Sequence, residues 1–334
     1  MKKVIGIGNA LTDMLINLDS DSRLSEMGLA RGSMSLVDSD LQREISGTVA
    51  GLPNTMSLGG SAANTIRALA CLGGSAGFIG KTGKDEAGDF YKQALETLGI
   101  EPVIMRGQAA SGRCLSLVST DGERTMVTYL GAALELTAEE LSTTILEGYN
   151  WLYIEGYLVQ NHALIEAAAA LAKQNGLKVA IDLASFNVVE ENLEFLRRII
   201  GTYVDLVFAN EDEAQAFTGN EDPYEAATQI AEMCELAVVK IGRRGALIQE
   251  SGHEVVQVGI EESAQRVDTT GAGDFYAAGF MYGLYKGLSM RQCGTIGAIT
   301  AGHVIEIVGT TLSEETWKRI LLKVQEVEHN TYLL

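Results

Sequence analysis

Short apolar runs and helix-patterned segments alternate through the second half of this sequence, and that alternation leaves few folds open. Residues 151–159 form an apolar run, followed by a helical pattern over 163–173. Residues 178–183 read as a strand and 190–200 as a helix, then 205–210 as a strand and 211–218 as a helix. A helix near 224–234 leads into a strand at 235–241, and helical patterns over 274–286, 289–306 and 313–327 close the chain. This order predicts an α/β fold with a mostly parallel central sheet covered by helices on both faces. At 334 residues and 46% hydrophobic composition, the chain can bury a large core, which excludes disordered and collagen-like classes.

The first half is patterned differently. Residues 114–130 hold two alternating runs around Asp121-Gly122, a hairpin signal, and 12–18 and 33–37 also read as strands. They predict a small β-sheet, formed by segments near 11–50 and 100–130 inserted in a single domain spanning 1–334. Ligands bind outside the carboxyl ends of strands in open α/β sheets, so a lid is the natural role for this sheet. Thr137 and Glu140 have the spacing of a capping box opening a helix.

Charge narrows the partners. The chain carries 44 acidic against 25 basic residues, a net charge of −19. Such a surface argues against nucleic acid and against anionic membranes. The four cysteines and four histidines are too scattered for a disulfide framework or a zinc site, which fits a reducing cytoplasm. The N-terminal segment reads as a first strand rather than a signal peptide, and no run reaches the roughly 18 apolar residues of a membrane span.

Several glycine motifs fail on context. Gly6 and Gly8 begin a dinucleotide fingerprint, but Leu11 replaces its third glycine and no helical pattern follows. Gly77 to Thr82 has the wrong glycine spacing for a Walker A loop. GGSAG at 73–77 matches a nucleophile elbow in letters, but a helix precedes it where a strand is required.

Other motifs hold. In DTTGAGD (268–274), small residues precede an apolar helix, whose first-turn amides and dipole suit an anion hole for phosphate; a glycine-rich loop with Asp274 as an N-terminal charge only is the plainer reading. Asp274, in the same turn, can accept a proton from an attacking hydroxyl. GGSAAN (59–64) opens a second helix, where paired glycines admit a ligand to the backbone and Asn64 can bond a hydroxyl; a tight turn with a capping serine is the plainer reading. NEDE (210–213) ends a strand; Asn210 and Glu213 share a helix face and suit a hydrated divalent ion or a solvated cap.

Together these segments resemble the PfkB/ribokinase family of sugar and nucleoside kinases, over essentially the whole chain. GGSAAN is similar to its N-terminal signature, DTTGAGD to its C-terminal one and NEDE to its N-x-x-E motif. The GNALTD segment (8–13) and the 111–124 hairpin look most like the adenosine-kinase branch. The resemblance implies a ribokinase-like core with a β lid, and ATP-dependent transfer of the γ-phosphoryl group to a primary hydroxyl. It implies Asp274 as base, Gly271, Ala272 and Gly273 as anion hole, and Arg124 as a lid arginine near the phosphates. Asn9, Asp13, Gly59, Gly60 and Asn64 would hold the acceptor, with Tyr157 stacked on a base. Asn210, Lys240, Gly242 and Gly245 would line the ATP site. Asn210 and Glu213 would hold Mg2+ through water, and Asp268 and Thr270 a monovalent cation such as K+. The acceptor stays open between a nucleoside and a free sugar or sugar acid, for which Arg31 and Arg113 are candidate partners. A nucleoside-sensing binding protein and a non-catalytic assembly module are the non-enzyme readings, and the chain is expected as a monomer or as a homodimer paired through lid strands.

Overall fold

The computed structural model describes residues 3–120, 123–262 and 265–330. The chain opens with β1 (Val4–Ile7), β2 (Leu11–Asn17), α1 (Ser22–Glu26), β3 (Met34–Leu36), α2 (Ser39–Thr48), β4 (Asn54–Gly59) and α3 (Ser61–Cys71). It continues through β5 (Ala76–Thr82), α4 (Glu86–Thr97), β6 (Glu101–Arg106), β7 (Gly112–Val118) and β8 (Arg124–Tyr129). The alternating half supplies β9 (Trp151–Glu155), α5 (His162–Gln174), β10 (Lys178–Asp182), α6 (Phe186–Glu191), α7 (Leu193–Tyr203), β11 (Leu206–Asn210), α8 (Glu211–Thr218), α9 (Pro223–Ala231) and β12 (Leu236–Lys240). Strands β13 (Ala246–Glu250) and β14 (Val256–Val258) and helices α10 (Ala272–Lys286), α11 (Met290–Val304) and α12 (Glu314–His329) follow.

Among the described residues, nine strands form the main sheet in the order β14-β13-β12-β11-β10-β9-β1-β5-β6. Its pairs are parallel from β12 to β6, and only β13 and β14 pair antiparallel. One face packs on α3, α4 and α10–α12, and the other on α5 and α7–α9. Both faces being covered explains the near-continuous apolar strands of the second half.

The second sheet runs β3-β8-β7-β2-β4. Its strands alternate: Leu115, Leu117 and Val127 turn into a small core under α1 and α2, while Cys114, Ser116, Met126 and Thr128 face the main cavity. The expected span of 11–50 and 100–130 needs correction at two points. Residues 54–59 belong to this sheet as β4, because β4 pairs antiparallel with β2 along its length. Residues 101–106 do not: β5, α4 and β6 make another βαβ unit, so β6 extends the main sheet.

Two local expectations also change. The apolar run 151–159 is a strand only to Glu155, beyond which Gly156–Gln160 form a 3-10 turn. Thr137 and Glu140 do make a capping box, but it opens only the 3-10 turn Ala138–Glu140. The β7–β8 hairpin is present, but its Asp121-Gly122 turn lies outside the described residues. Among the described residues, no helix is long and apolar enough to cross a membrane.

Candidate active site

Glu155, Asp182, Asn210 and Lys240 are the last residues of β9, β10, β11 and β12, four neighbouring parallel strands. A parallel sheet therefore delivers four polar side chains to one edge, and the small sheet stands over that edge. Between them lies a cavity of about 590 Å3.

The floor is tightly wired. Asp274 sits in the first turn of α10. Ser61 Oγ donates to its Oδ1 at 2.7 Å and Asn64 Nδ2 to its Oδ2 at 2.9 Å, both from the first turn of α3. Burial pushes the Asp274 carboxyl up to about 6, and these two donors oppose that rise. Glu155 is held similarly, by Asn9 Nδ2 at 2.7 Å and the Ala62 amide at 3.0 Å, and burial pushes it up to about 7. Asn9 thus lines the cavity with its amide already committed to Glu155.

Gly271 caps α10 in a left-handed conformation, φ 75°. A Cβ there would stand 2.5 Å from Thr310 Cγ2, so only glycine fits. Gly271 and Gly273 line the cavity. Ala272 does not, and its amide donates to Thr269 O at 3.1 Å. Among the described residues, the amides of Gly273 and Asp274 have no acceptor, as the first turn of a helix dictates. The Gly273 and Asp274 amides, unlike that of Ala272, are therefore free to hold an anion.

Lys240 reaches the same corner. Its Nζ donates to Asp182 Oδ2 at 2.9 Å, and a Cβ on Gly273 would lie 3.1 Å from that nitrogen. Burial alone would lower the Lys240 pKa, but Asp182 and Glu213 outweigh it and hold the ammonium above its ordinary value. Asn210 and Glu213 close a capping box on α8: Asn210 Nδ2 and N donate to the two Glu213 oxygens at 2.7 and 2.8 Å. Burial pushes the Glu213 carboxyl up, against the pull of Lys240. Gly242 lines the cavity, but Gly245 does not. At Gly245 (φ 94°) a Cβ would meet Val258 O at 1.9 Å, so that glycine serves the turn into β13.

The lid side differs. Asp13, on β2, faces the cavity with no hydrogen-bond partner among the described residues. Burial pushes it up to about 6, and the charges of Arg67 and Arg124 oppose that. Gly60 lines the cavity at the α3 N-cap; Gly59 stands behind Asp13, touching its carboxylate. Arg124, on β8, pairs with Asp268 and donates to Ser116 Oγ at 2.7 Å and Thr270 Oγ1 at 3.3 Å, while its buried Nε has no partner among the described residues. Asp268 lies off the cavity wall. It also accepts from the Gly309 and Thr270 amides, each at 2.9 Å, and from Thr270 Oγ1 at 2.8 Å.

Met34 and Leu36 line the cavity from β3 although 60% and 62% exposed, alongside Met126, Leu134 and Leu136. Tyr157 lines the cavity and donates to Ala184 O at 3.3 Å. Ala184, with φ 68°, is the one non-glycine residue at positive φ among the described residues; such strain gathers at functional sites.

Sequence reasoning left out Ser61, Arg67, Glu155, Asp182 and Thr310. Glu155 and Asp182 were findable as acids at strand carboxyl ends, and Arg67 as the single charge in its helix. Nothing in the sequence points to Thr310.

A carboxylate held beside unpaired helix amides, at the carboxyl edge of a parallel sheet, can take a hydroxyl proton next to a held phosphoryl group, the chemistry of a phosphotransferase acting on an alcohol. The family model for pfkB family carbohydrate kinase matches residues 37–317, and the chain belongs to that family. It is 27% identical over 333 residues to adenosine kinase of Saccharomyces cerevisiae, covering 93% of this chain and 97% of that protein. It is 28% identical over 247 residues to an uncharacterized sugar kinase of Archaeoglobus fulgidus, covering 72% and 95%. The solved adenosine kinase from Sinorhizobium meliloti superposes with a TM-score of 0.84 at 32% identity, over 97% of this chain and 99% of that one. The fold is ribokinase-like, with adenosine kinases among its structural neighbours.

Proposed function

We propose that this kinase transfers the γ-phosphoryl group of ATP to the primary hydroxyl of a ribonucleoside. The observation that carries the reading is the pairing, across one cavity, of a carboxylate held at a helix N-terminus (Asp274) with an unpartnered carboxylate on the lid side (Asp13). Asp13 suits the vicinal hydroxyls of a ribose, for a carboxylate accepts two hydrogen bonds side by side. Asp274 takes the proton of the attacking hydroxyl, and the Gly273 and Asp274 amides, with Lys240, stabilise the phosphoryl oxygens.

Asn210 and Glu213 fit a hydrated Mg2+. Each Glu213 oxygen already accepts one hydrogen bond and keeps a lone pair for a metal-bound water. When bound, that ion neutralises phosphate charge. Asp268 and Thr270 are engaged with Arg124, so no step through a monovalent cation is proposed.

The apolar lid wall favours a nucleoside over a free sugar, since a base buries its faces against Met34, Leu36 and Tyr157. A sugar acid would want an unengaged cation. Arg31 pairs with Asp21 and Glu123, and neither Arg31 nor Arg113 lines the cavity.

An ADP-release assay over adenosine, inosine, ribose, fructose and 2-keto-3-deoxygluconate tests the reading. A nucleoside should give the highest kcat/KM. Preferred turnover of a free sugar or sugar acid, or none with any of the five, overturns it.

A further inference from the structure

Arg67 lies on α3 one turn beyond Asn64 and is buried, at 7% exposure. A buried charge normally has an opposite partner. Yet every hydrogen-bond partner of this guanidinium among the described residues is neutral. It donates to Asn64 Oδ1 at 3.1 Å, to Thr310 O at 2.7 Å and to Thr310 Oγ1 at 2.8 Å. Longer bonds run to Leu58 O at 3.3 Å and Thr311 Oγ1 at 3.5 Å. Thr310 Oγ1 in turn donates to Asn64 Oδ1 at 3.2 Å.

The consequence lies in the amide. The two ends of an asparagine side chain are nearly the same shape, and only the surrounding network decides which faces where. A guanidinium is purely a donor, so the Asn64 oxygen must face Arg67. That leaves the NH2 facing Asp274, where it donates at 2.9 Å. Flipped, the amide would set its oxygen against the carboxylate and its NH2 against the guanidinium, two mismatches in a buried place.

We propose that Arg67 is a positioning residue for the base: it locks the Asn64 amide so that its NH2 holds Asp274 ionised and oriented at the N-terminus of α10. This rests on the reading of Asp274 as the base. Thr310 is the second part of the lock, and it also packs against Gly271 at the start of α10. Arg67 thereby fastens three pieces of chain to one another: the α3 N-terminus, the 268–274 turn and the loop at 309–311.

The other groups around Asp274 are accounted for. On α3 it meets Ser61 and Asn64, with Arg67 beyond them. Asp182 at the end of β10 raises its pKa, and Lys240 at the end of β12 lowers it. Asp13 on β2 and Glu155 on β9 add negative charge nearby, and Tyr153 and Tyr157 stay neutral.

The test is the pH dependence of the single-turnover rate at saturating ATP and acceptor, which isolates the bound complex. Arg67→Met should move the acid limb to higher pH by about one unit, so that turnover lost near pH 6 returns at high pH. Arg67→Lys, which keeps charge and donors, should restore most of the wild-type limb. Thr310→Val removes one of the two donors to Asn64 without changing charge. It should shift the limb the same way by less, and it decides the matter should Arg67→Met fail to fold.

A rate lowered equally at every pH, with the limb in place, would make Arg67 merely structural and overturn the proposal. Asp274→Asn separates the two ideas. If that variant keeps its turnover, the base reading fails; if it is inactive while the Arg67 and Thr310 variants keep the wild-type limb, only the present inference fails.

Discussion

The helix-built floor and the strand-built lid each present a half-buried carboxylate to the cavity, and the two are wired in opposite ways. Asp274 on α10 and Asp13 on β2 are both pushed up to about 6 by burial. Asp274 has a donor on each oxygen, and those donors come from a second helix braced by Arg67. Asp13 has none. A group that must act at a fixed place in the transition state needs a preorganised shell. A group that must grip something arriving from solution needs open lone pairs. On the proposed reading, the floor serves chemistry and the lid side capture.

The hardest blow to this contrast would be an Asp274→Asn enzyme that still turns over. General-base removal should lower kcat about 10³-fold, with ATP binding nearly unchanged, because the amides and Lys240 stay in place. Asp13→Asn should behave otherwise. Losing charge-assisted bonds to the acceptor should lower acceptor kcat/KM roughly 10- to 100-fold, leaving the KM for ATP alone. If both variants lost kcat alike, the division between floor and lid would collapse.

Stability gives an independent reading of the same pair. Each carboxyl rises from 3.8 to about 6 on folding, so the native state holds more protons than the unfolded one between those values. Stability from these groups is therefore greatest below pH 4 and falls as pH rises through 6. At neutral pH the ionised pair is a cost that the fold bears for function. Replacing either by asparagine should raise Tm at pH 7.5 by a few degrees, on the order of 1–2 kcal/mol. The gain should shrink toward pH 4. A lower Tm in Asp274→Asn would show that Ser61 and Asn64 overcome the burial cost.

The main sheet was legible because period and order are local properties: apolar runs between helix patterns can form little other than a parallel sheet. The edge of the lid was not. β6 looks like any other short strand in sequence, and only its pairing with β5 assigns it to the main sheet. The site divides in the same way. Asp274, Asn64 and Gly271 sit in glycine signatures whose conformational demands are written locally. Arg67 and Thr310 meet from positions 243 residues apart, which no local pattern encodes. Gly245 and Ala272 carry the right letters but spend their backbone on a turn.

The smallest predicted effect tests the lid alone. Leu36 is 62% exposed yet borders the cavity, so the folded chain gains little from it. An apolar side chain left in water earns its place only when something apolar covers it, and a nucleobase over the lid would do so. Leu36→Ser should therefore leave Tm unchanged. It should raise the KM for a nucleoside about three- to fivefold, corresponding to roughly 1 kcal/mol of lost burial. Turnover of ribose, too small to reach β3 while its hydroxyls sit on Asp13, should not change. An equal loss with ribose would mean that Leu36 shapes the sheet rather than covering a base, and the lid would then be a shutter without a part in choosing the acceptor.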